Sequence, residues 1–395
     1  MQTECYWLDR PKEPLAIHVE VSSKPVDVAV VGGGVTGCSC ALALADRGLR
    51  VRLYEARLLA GGASGRNGGF ALRGSAERYD RVRARLGADV AGGLWELSER
   101  ALAAIERLAG DAFRRVGSLQ LAADPRERRL LQDEFEALRE DGLGAQWIDQ
   151  LPGPLDRSYH GAILHPGDGA LEPARWVRRL AGRAAAAGVE IVEGRRVEVD
   201  SVPAATVVVA VDGLTSALLP ELGRVVWPVR GQVVVTEPLV RRLFERPHYA
   251  RHGFDYWQQL PDARLLVGGQ RDACLEAENT AVEETTPVVQ ERLDAFVSGL
   301  VGGRPRITHR WAGIWGETVD KLPLAGRVPG RERVWIAGGY SGHGNVLGFA
   351  CGELVARAVA GEDPPELGLF DPGRFGATGG PGGSISGEER ADAPA

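Results

Sequence analysis

Lysine is nearly missing from this chain. Only Lys12, Lys24 and Lys321 occur among 395 residues, so arginine carries almost all of the positive charge. Basic residues number 47 against 53 acidic ones, a formal net charge of −6, which gives no electrostatic footing for nucleic acid. Cysteine is sparse and odd in number: Cys5, Cys38, Cys40, Cys274 and Cys351. Such a scattered set makes no disulfide framework. Cys38 and Cys40 lie two apart in one helical stretch, on different faces, so they read as packing residues and no metal site is expected. Long apolar runs are also absent. Nothing approaches the ~18 residues of a membrane-spanning helix. The opening MQTECYWLDRPKEP has no apolar h-region, so a cytoplasmic location is expected.

Glycine is abundant instead, and most tellingly in three places. The first follows Val28, Ala29, Val30 and Val31, a β-branched run suited to a buried parallel strand. Gly32, Gly34 and Gly37 then stand in G-x-G-x-x-G register, with Gly33, Val35 and Thr36 between them. In that register the first glycine permits the tight turn, the second lets backbone approach a pyrophosphate, and the third lets helix pack on strand. An Ala/Leu helix runs to Gly48. A second strand, Val51 to Tyr54, delivers Glu55, at the offset of an acid that grips ribose hydroxyls. An acid at this place indicates an adenosine ribose without a 2′-phosphate, hence FAD or NAD. The second glycine run, Gly61 to Gly69, comes directly afterwards, where a plain NAD-binding fold has no use for one. The third, Gly338-Gly339-Tyr340-Ser341-Gly342-His343-Gly344, lies between a strand at 334–337 and a helix at 345–360, repeating the strand–glycine–helix theme.

A chain of 395 residues predicts two or three domains. Tyr6, Trp7 and Leu8 are placed to pin the N-terminal segment to the body. From 73 to 151 the pattern is mostly helical, with a short strand at 117–121. Asp124 and Pro125 form an N-cap and N1 pair, Leu130, Leu131, Phe135 and Leu138 an apolar face, and Gly142 the stop. Charges from Arg126 to Arg129 read as a solvated face. Residues 171–210 return to the nucleotide pattern, with a helix from Pro173 and strands at 189–192, 196–199 and 206–210. From 226 to 314 the period changes to that of an antiparallel sheet, with strands at 231–236, 256–259 and 265–267, a turn at Pro261-Asp262-Ala263 and one helix at 287–301.

VAVVGGGVTG with YEA, then GASGRNGG, then DKLPLAGR with AGGYSGHG, resemble the FAD-dependent amine and amino-acid oxidases of the D-amino acid oxidase superfamily. The glycine/sarcosine oxidase and γ-glutamylputrescine oxidase-like groups fit best, the latter also by the YWL segment. The resemblance covers roughly residues 5–370. It implies an α/β plus α+β architecture: a Rossmann-type FAD-binding domain (26–72, 155–224 and 322–365) interleaved with a substrate domain on an antiparallel sheet (73–154 and 225–321); beyond it, the Gly-, Ser- and Glu-rich composition of 376–395 predicts a disordered tail. The resemblance also implies FAD with its pyrophosphate over Gly32–Gly37 and its ribose on Glu55, beside Ala56 and Arg57. Ala63, Ser64, Gly65, Arg66, Asn67 and Gly68 would follow the ribityl chain and ring, and Val197 the adenine. Ala210 and Gly213 would stand near the cofactor, and Gly342, His343, Gly344, Asn345 and Val346 at the pyrimidine side.

Two departures shape the expectation. Gly313 occupies the place of a flavin-linking cysteine, which implies non-covalent FAD. Asn345-Val346-Leu347 stand where sarcosine oxidases carry a carboxylate-binding lysine. The expected reaction is oxidation of a C–N bond with O2 as acceptor; a dehydrogenase with another acceptor and a redox-silent FAD-binding subunit are the alternatives. No lysine falls in a motif placed beside the flavin. His343, Tyr256, Trp315 and Arg66 are the candidate catalytic residues, with Trp257 and Tyr340 as further walls and Arg251 and His252 as possible substrate ligands. Trp311 suits core or pocket equally. The aromatic wall favours a substituted or elongated amine over a simple amino acid.

Overall fold

The structure is a computed structural model that describes residues 3–10 and 24–376. The strand Val26–Val31 lies inside a six-stranded sheet. On one side it pairs in parallel with Ala204–Val209, then Val334–Gly338; on the other with Val51–Tyr54, then Glu190–Val192. Leu324–Arg327 closes the edge antiparallel to Val334–Gly338. Both faces of a parallel sheet are covered, so its strands need apolar residues on both sides. Val28, Ala29, Val30, Val207, Val208 and Val209 meet that requirement and are almost fully buried.

The turn out of the central strand is shaped by two glycines. Gly32 takes φ +117°, and a Cβ there would overlap the carbonyl of Ala210. A Cβ on Gly37 would overlap the carbonyl oxygen of Gly32, so the helix Val35–Ala45 sits on the strand end as closely as backbone allows. The C-terminal helix Gly344–Val359 crosses that helix through Gly348 and Gly352, whose missing side chains leave room for Thr36 and Ser39. Ser39 Oγ donates to the Phe349 carbonyl at 2.8 Å and fastens the crossing.

The second sheet has eight strands, in the spatial order Ile307–Thr318, Val226–Pro238, Arg264–Gly269, Asp255–Gln259, His248–Ala250, Ser118–Leu121, Ala162–His165 and Gln146–Ile148. Its neighbours are antiparallel except His248–Ala250 beside Ser118–Leu121. A three-stranded sheet of Phe70–Ala71, Gly169–Leu171 and Phe113–Arg114 stands apart from it.

Several local expectations change. No strand forms at 196–199; the chain there is irregular and enters a short 3-10 turn at Val199–Ser201. The strand Ala162–His165 falls in a stretch assigned to the nucleotide fold, yet it pairs with Ser118–Leu121 in the eight-stranded sheet. The strand Ile307–Thr318 runs through WAGIWGET, where two glycines blur the alternation. Asp124 does cap the helix Pro125–Glu140, accepting from the N–H groups of Arg126 and Glu127 at 2.7 Å. Glu127, however, is buried, not solvated: it accepts from the Ala123 and His252 backbones. Tyr6 and Trp7 are buried, and Trp7 Nε1 donates to the Asn67 carbonyl at 2.9 Å, which pins the N-terminal segment to the second glycine run. Of the 376–395 tail, all but Gly376 lies outside the described residues.

His248 carries a pH dependence. It is buried flat against Trp257, ring centroids 5.2 Å apart and planes 7° from parallel, and its Nδ1 finds no partner. Burial pulls its pKa down to about 3. The folded pKa is depressed, so the stability this group contributes is complete above the unfolded value near 6.5 and is lost as pH falls toward 3. His248→Gln should therefore reduce the drop in unfolding free energy between pH 7.5 and 4.5 by about 2 kcal/mol. Urea unfolding at the two pH values measures this difference, whatever the variant's absolute stability; parallel pH slopes for the two proteins would refute it.

Candidate functional site

The site is a cavity of about 1050 Å³ between the glycine-rich edge of the parallel sheet and one face of the eight-stranded sheet. Each wall follows from local sequence. At the first wall, Gly34 starts the helix Val35–Ala45 with no side-chain cap of its own. Ser64 Oγ, from the second glycine run, accepts the Val35 N–H at 3.0 Å. Just beyond the cavity, Glu55 bridges the turn, one carboxylate oxygen accepting from Gly33 N and the other from Arg57 N, both at 2.7 Å.

The second glycine run folds into a short helix, Ala63–Arg66, rather than an open loop. Asn67 and Asn345 exchange amide hydrogen bonds at 3.0 and 3.1 Å, joining this run to the third one. Arg66 is turned to Glu283 at 3.3 Å and to the Gly61 carbonyl at 2.9 Å, so its charge already has a partner. Gly313 packs over Arg66: a Cβ there would approach the Arg66 Cβ to 3.2 Å.

The third run places Ser341 and Gly342 at positive φ and starts the helix Gly344–Val359 from His343, again without a side-chain cap. Enclosure by protein lowers the His343 pKa to about 4, so its ring is neutral near pH 7. Its Nδ1 is buried and unpartnered. Tyr340 forms part of the same wall and accepts a hydrogen bond from Thr36 Oγ1 at 3.0 Å.

The floor is the alternating face of the sheet. Tyr256 lies across Gly268, where a Cβ would overlap its ring, and meets Phe70 edge to face at 5.7 Å. Burial pushes its phenol pKa up, so it stays protonated. Trp315 lies across Gly231 and donates its indole N–H to Glu317 at 3.0 Å.

The cavity brings together Gly34, Val35, Thr36, Ala63, Ser64, Arg66, Asn67, Gly68, Ala210, Tyr256, Trp315, Tyr340, Gly342, His343, Gly344, Asn345 and Val346. Gly32, Gly33, Gly37, Glu55, Ala56, Arg57, Gly65, Val197 and Gly213 stand outside its wall. Trp257 is not a wall residue. It follows Tyr256 on one strand, so its side chain enters the opposite core, where it is fully buried. Trp311 is also core, its indole N–H bonded to the Arg66 carbonyl at 2.7 Å. Arg251 is held by Asp255 at 2.7 Å and Asp272 at 2.8 Å, away from the cavity, whereas His252 does line it.

Among the wall residues that escaped the sequence reading are Asp212, Arg271 and Lys321. Asp212 follows the strand Ala204–Val209 at φ +46°. Its carboxylate accepts from Gly316 N at 3.0 Å and Gly339 N at 2.8 Å, and enclosure pushes its pKa up to about 6. Arg271 stands between the rings of Phe254 (4.8 Å) and Trp315 (5.2 Å). No hydrogen-bonded carboxylate reaches its guanidinium among the described residues, and desolvation lowers its pKa. Lys321 lines the cavity too, paired with Glu317, so the expectation that no lysine stands here is corrected. No cysteine lines the cavity, and no cluster of metal-ligating side chains forms among the described residues.

The DAO family model, described as FAD dependent oxidoreductase, matches residues 27–358. The γ-glutamylputrescine oxidoreductase of Escherichia coli (strain K12) is 29% identical over 368 residues, 85% of this chain and 84% of its own. The probable oxidoreductase OrdL of Rhizobium meliloti (strain 1021) is 29% identical over 381 residues, 89% of this chain and 87% of its own. The crystal structure of glycine oxidase from Geobacillus kaustophilus superposes with a TM-score of 0.75 at 23% identity, covering 92% of this chain and 100% of that one.

The tie at Asp212 is testable. Asp212→Ala removes the acceptor for the backbone N–H groups of Gly316, Gly339 and, at 3.4 Å, Tyr340, and should cost roughly 2–4 kcal/mol of unfolding free energy. Asp212→Asn should recover less than half, because one acceptor oxygen becomes a donor. Urea unfolding measures both; a loss below about 0.5 kcal/mol would put Asp212 among ordinary surface residues.

Proposed function

The chain belongs to the DAO family of FAD-dependent oxidoreductases, and from that premise we propose that it oxidises a C–N bond of an amine or amino acid carrying an acidic group. The observation that carries the finer reading is Arg271, a cavity-wall cation with no carboxylate bonded to it among the described residues. A guanidinium so placed is matched by a carboxylate, through two parallel N–H···O bonds.

The residues around the cavity fit FAD. Two helices of 11 and 16 residues begin at its wall without side-chain caps of their own, and their N-terminal ends favour negative charge. The buried, unpartnered His343 Nδ1 offers one more polar contact. Gly32 to Gly37 would hold the pyrophosphate, Glu55 the ribose, and Val197 the adenine side. Ala63 to Gly68, with Gly342 to Val346, would flank the ring, Ala210 and Gly213 supporting them. When bound, FAD supplies a hydride acceptor for the C–H beside the nitrogen, leaving an imine that water hydrolyses, and O2 receives the electrons as H2O2.

The chain's own contribution is positioning and charge. Tyr256 and Trp315 wall off water and, as apolar surfaces, favour the neutral amine over its cation. Tyr256 keeps its proton and so adds no anion that would hold the amine as its cation, and His343 stays uncharged and adds no positive charge beside it. Arg271 orients the acidic end.

The purified protein should be yellow, with about one FAD per chain that acid precipitation releases, since no cysteine lines the cavity. Anaerobic addition of amines or amino acids should bleach it, and air should return the colour with peroxide. Colour that no amine bleaches would refute the C–N reading; bleaching that air fails to reverse would replace the oxidase with a dehydrogenase.

Arg271→Met should slow anaerobic reduction by an acid-bearing amine roughly 10- to 100-fold in rate per concentration, and change an uncharged amine of equal length less than about threefold. Equal losses for both would make Arg271 a packing residue between its two rings.

A further inference from the structure

The cavity continues beyond the aromatic floor. Tyr256, Tyr249 and Gln120 stand opposite one another on adjacent strands, and all three line it. Two strand spacings, about 10 Å, separate the first from the last. The row ends in a far chamber bounded by the helices Tyr79–Leu86 and Pro125–Glu140, with Glu134 in its wall.

Glu134 is buried, and its two hydrogen bonds come from neutral donors: Tyr79 N at 3.0 Å and Gln120 Nε2 at 2.9 Å. Arg81 is an exposed residue of the cavity wall with no bonded carboxylate among the described residues, and it is not paired with Glu134; the other nearby cations are committed elsewhere. Arg78 is bound to Asp80 at 2.9 Å; Arg73 is bound to Asp168 at 2.9 Å and to Glu99 at 2.5 Å. Among the described residues no cation is paired with Glu134. A buried carboxylate left in that condition is unfavourable unless it is protonated or meets a cation from outside.

The remaining polar atoms agree on the sign of what is missing. His165 lines the same chamber and is buried. Its Nε2 faces Gln120 Oε1 at 3.3 Å, which makes Nε2 the donor and leaves Nδ1 a bare acceptor; that Nδ1 has no partner. Tyr249 spends its hydroxyl proton on Gln120 Oε1, also at 3.3 Å. The chamber therefore offers acceptors and one uncompensated acid, a setting for a hydrogen-bond donor with positive charge.

We propose that this chamber binds the far-end ammonium of an elongated amine substrate, with Glu134 as its counter-charge and Gln120 and Tyr249 holding that carboxylate in place. The proposal rests on the C–N oxidase reading for the near end of the molecule and extends it to a substrate class bearing a second ammonium.

Burial pushes the Glu134 pKa up to about 7, with Asp80 adding to the rise and Arg78 opposing it. Burial holds His165 neutral and Tyr249 protonated, so neither brings a charge. Near pH 7 the empty chamber is thus partly protonated, and an arriving ammonium displaces the proton. Below that pH the ammonium competes with the proton and binds more weakly.

Matched pairs test this on the FAD-loaded protein without oxygen: α,ω-diamines of two to ten carbons against n-alkylamines of equal length, and lysine against norleucine. Binding is read from the flavin spectrum and from calorimetry in two buffers of different ionisation heat. The second-ammonium member should bind roughly tenfold or more tighter at one chain length. It should release a proton near pH 7, and its advantage should shrink between pH 8 and 6. Glu134→Gln should abolish the advantage and the proton release while leaving the monoamines unchanged, and Glu134→Asp should restore part of both. Diamines no better than monoamines, or an advantage that survives Glu134→Gln, would overturn the subsite even if both reduce the flavin. Glu134-dependent binding of lysine and the diamines, with no flavin reduction by either, would leave the subsite standing and overturn the C–N oxidase reading instead.

Discussion

The arrangement depends on one carboxylate. Asp212 leaves the end of a parallel strand and accepts N–H groups from Gly316, on the antiparallel sheet, and from Gly339, in the third glycine run. Three separate parts of the chain meet at that side chain. The cavity lies where they converge, so its shape is set by hydrogen bonds across sequence distances of 104 and 127 residues. Such bonds to a charged acceptor are stronger than neutral ones, and they hold the residue at a positive φ that is otherwise uncommon.

Around this tie the cavity is unevenly charged. Most of its ionic side chains are satisfied within the protein: Arg66 by Glu283, Arg73 by Asp168, Lys321 by Glu317. Arg81, an exposed wall residue, has no bonded carboxylate among the described residues, and two enclosed groups are likewise unpaired: a guanidinium held between aromatic rings, and a carboxylate held by an amide and a backbone N–H. A fold optimised for stability alone pairs or removes such groups. Their persistence at opposite ends of one cavity makes it polar along its length.

The parallel sheet was legible because its signals are local. Val28 to Val31, the glycines after them and Glu55 carry the strand, the turn and the acid within one short stretch. Alternation likewise put Tyr256 on the cavity face, and it also puts Trp257 in the opposite core, so the two neighbours should have been read apart. Asp212 and Arg271 lie outside any motif. Their roles appear only when distant strands close around them, and a lone acid or arginine in an irregular stretch carries no periodic signal. The strand through Trp311 and Trp315 was obscured by Gly313 and Gly316, which spoil the alternation but admit Arg66 and the Asp212 turn. Glu127 and Glu134 sit on an amphipathic helix whose charges look solvated; that the cavity reaches Glu134 depends on a neighbouring helix.

The glycine-lined crossing of the two long helices has an electrostatic consequence. Gly348 and Gly352 bring the C-terminal helix against Thr36 and Ser39; the Ser39 hydroxyl bonds across the crossing to Phe349, and the Thr36 hydroxyl bonds to Tyr340 in the glycine run before that helix. Both helices begin at the cavity, so their positive ends are fixed relative to each other as well as to the site. When negative charge builds up between them, neither dipole has to swing into place, and the surroundings answer with little rearrangement. The crossing, which begins beside the cavity at Thr36, is thereby a mechanical means of keeping the reorganisation energy of a charge-changing reaction low.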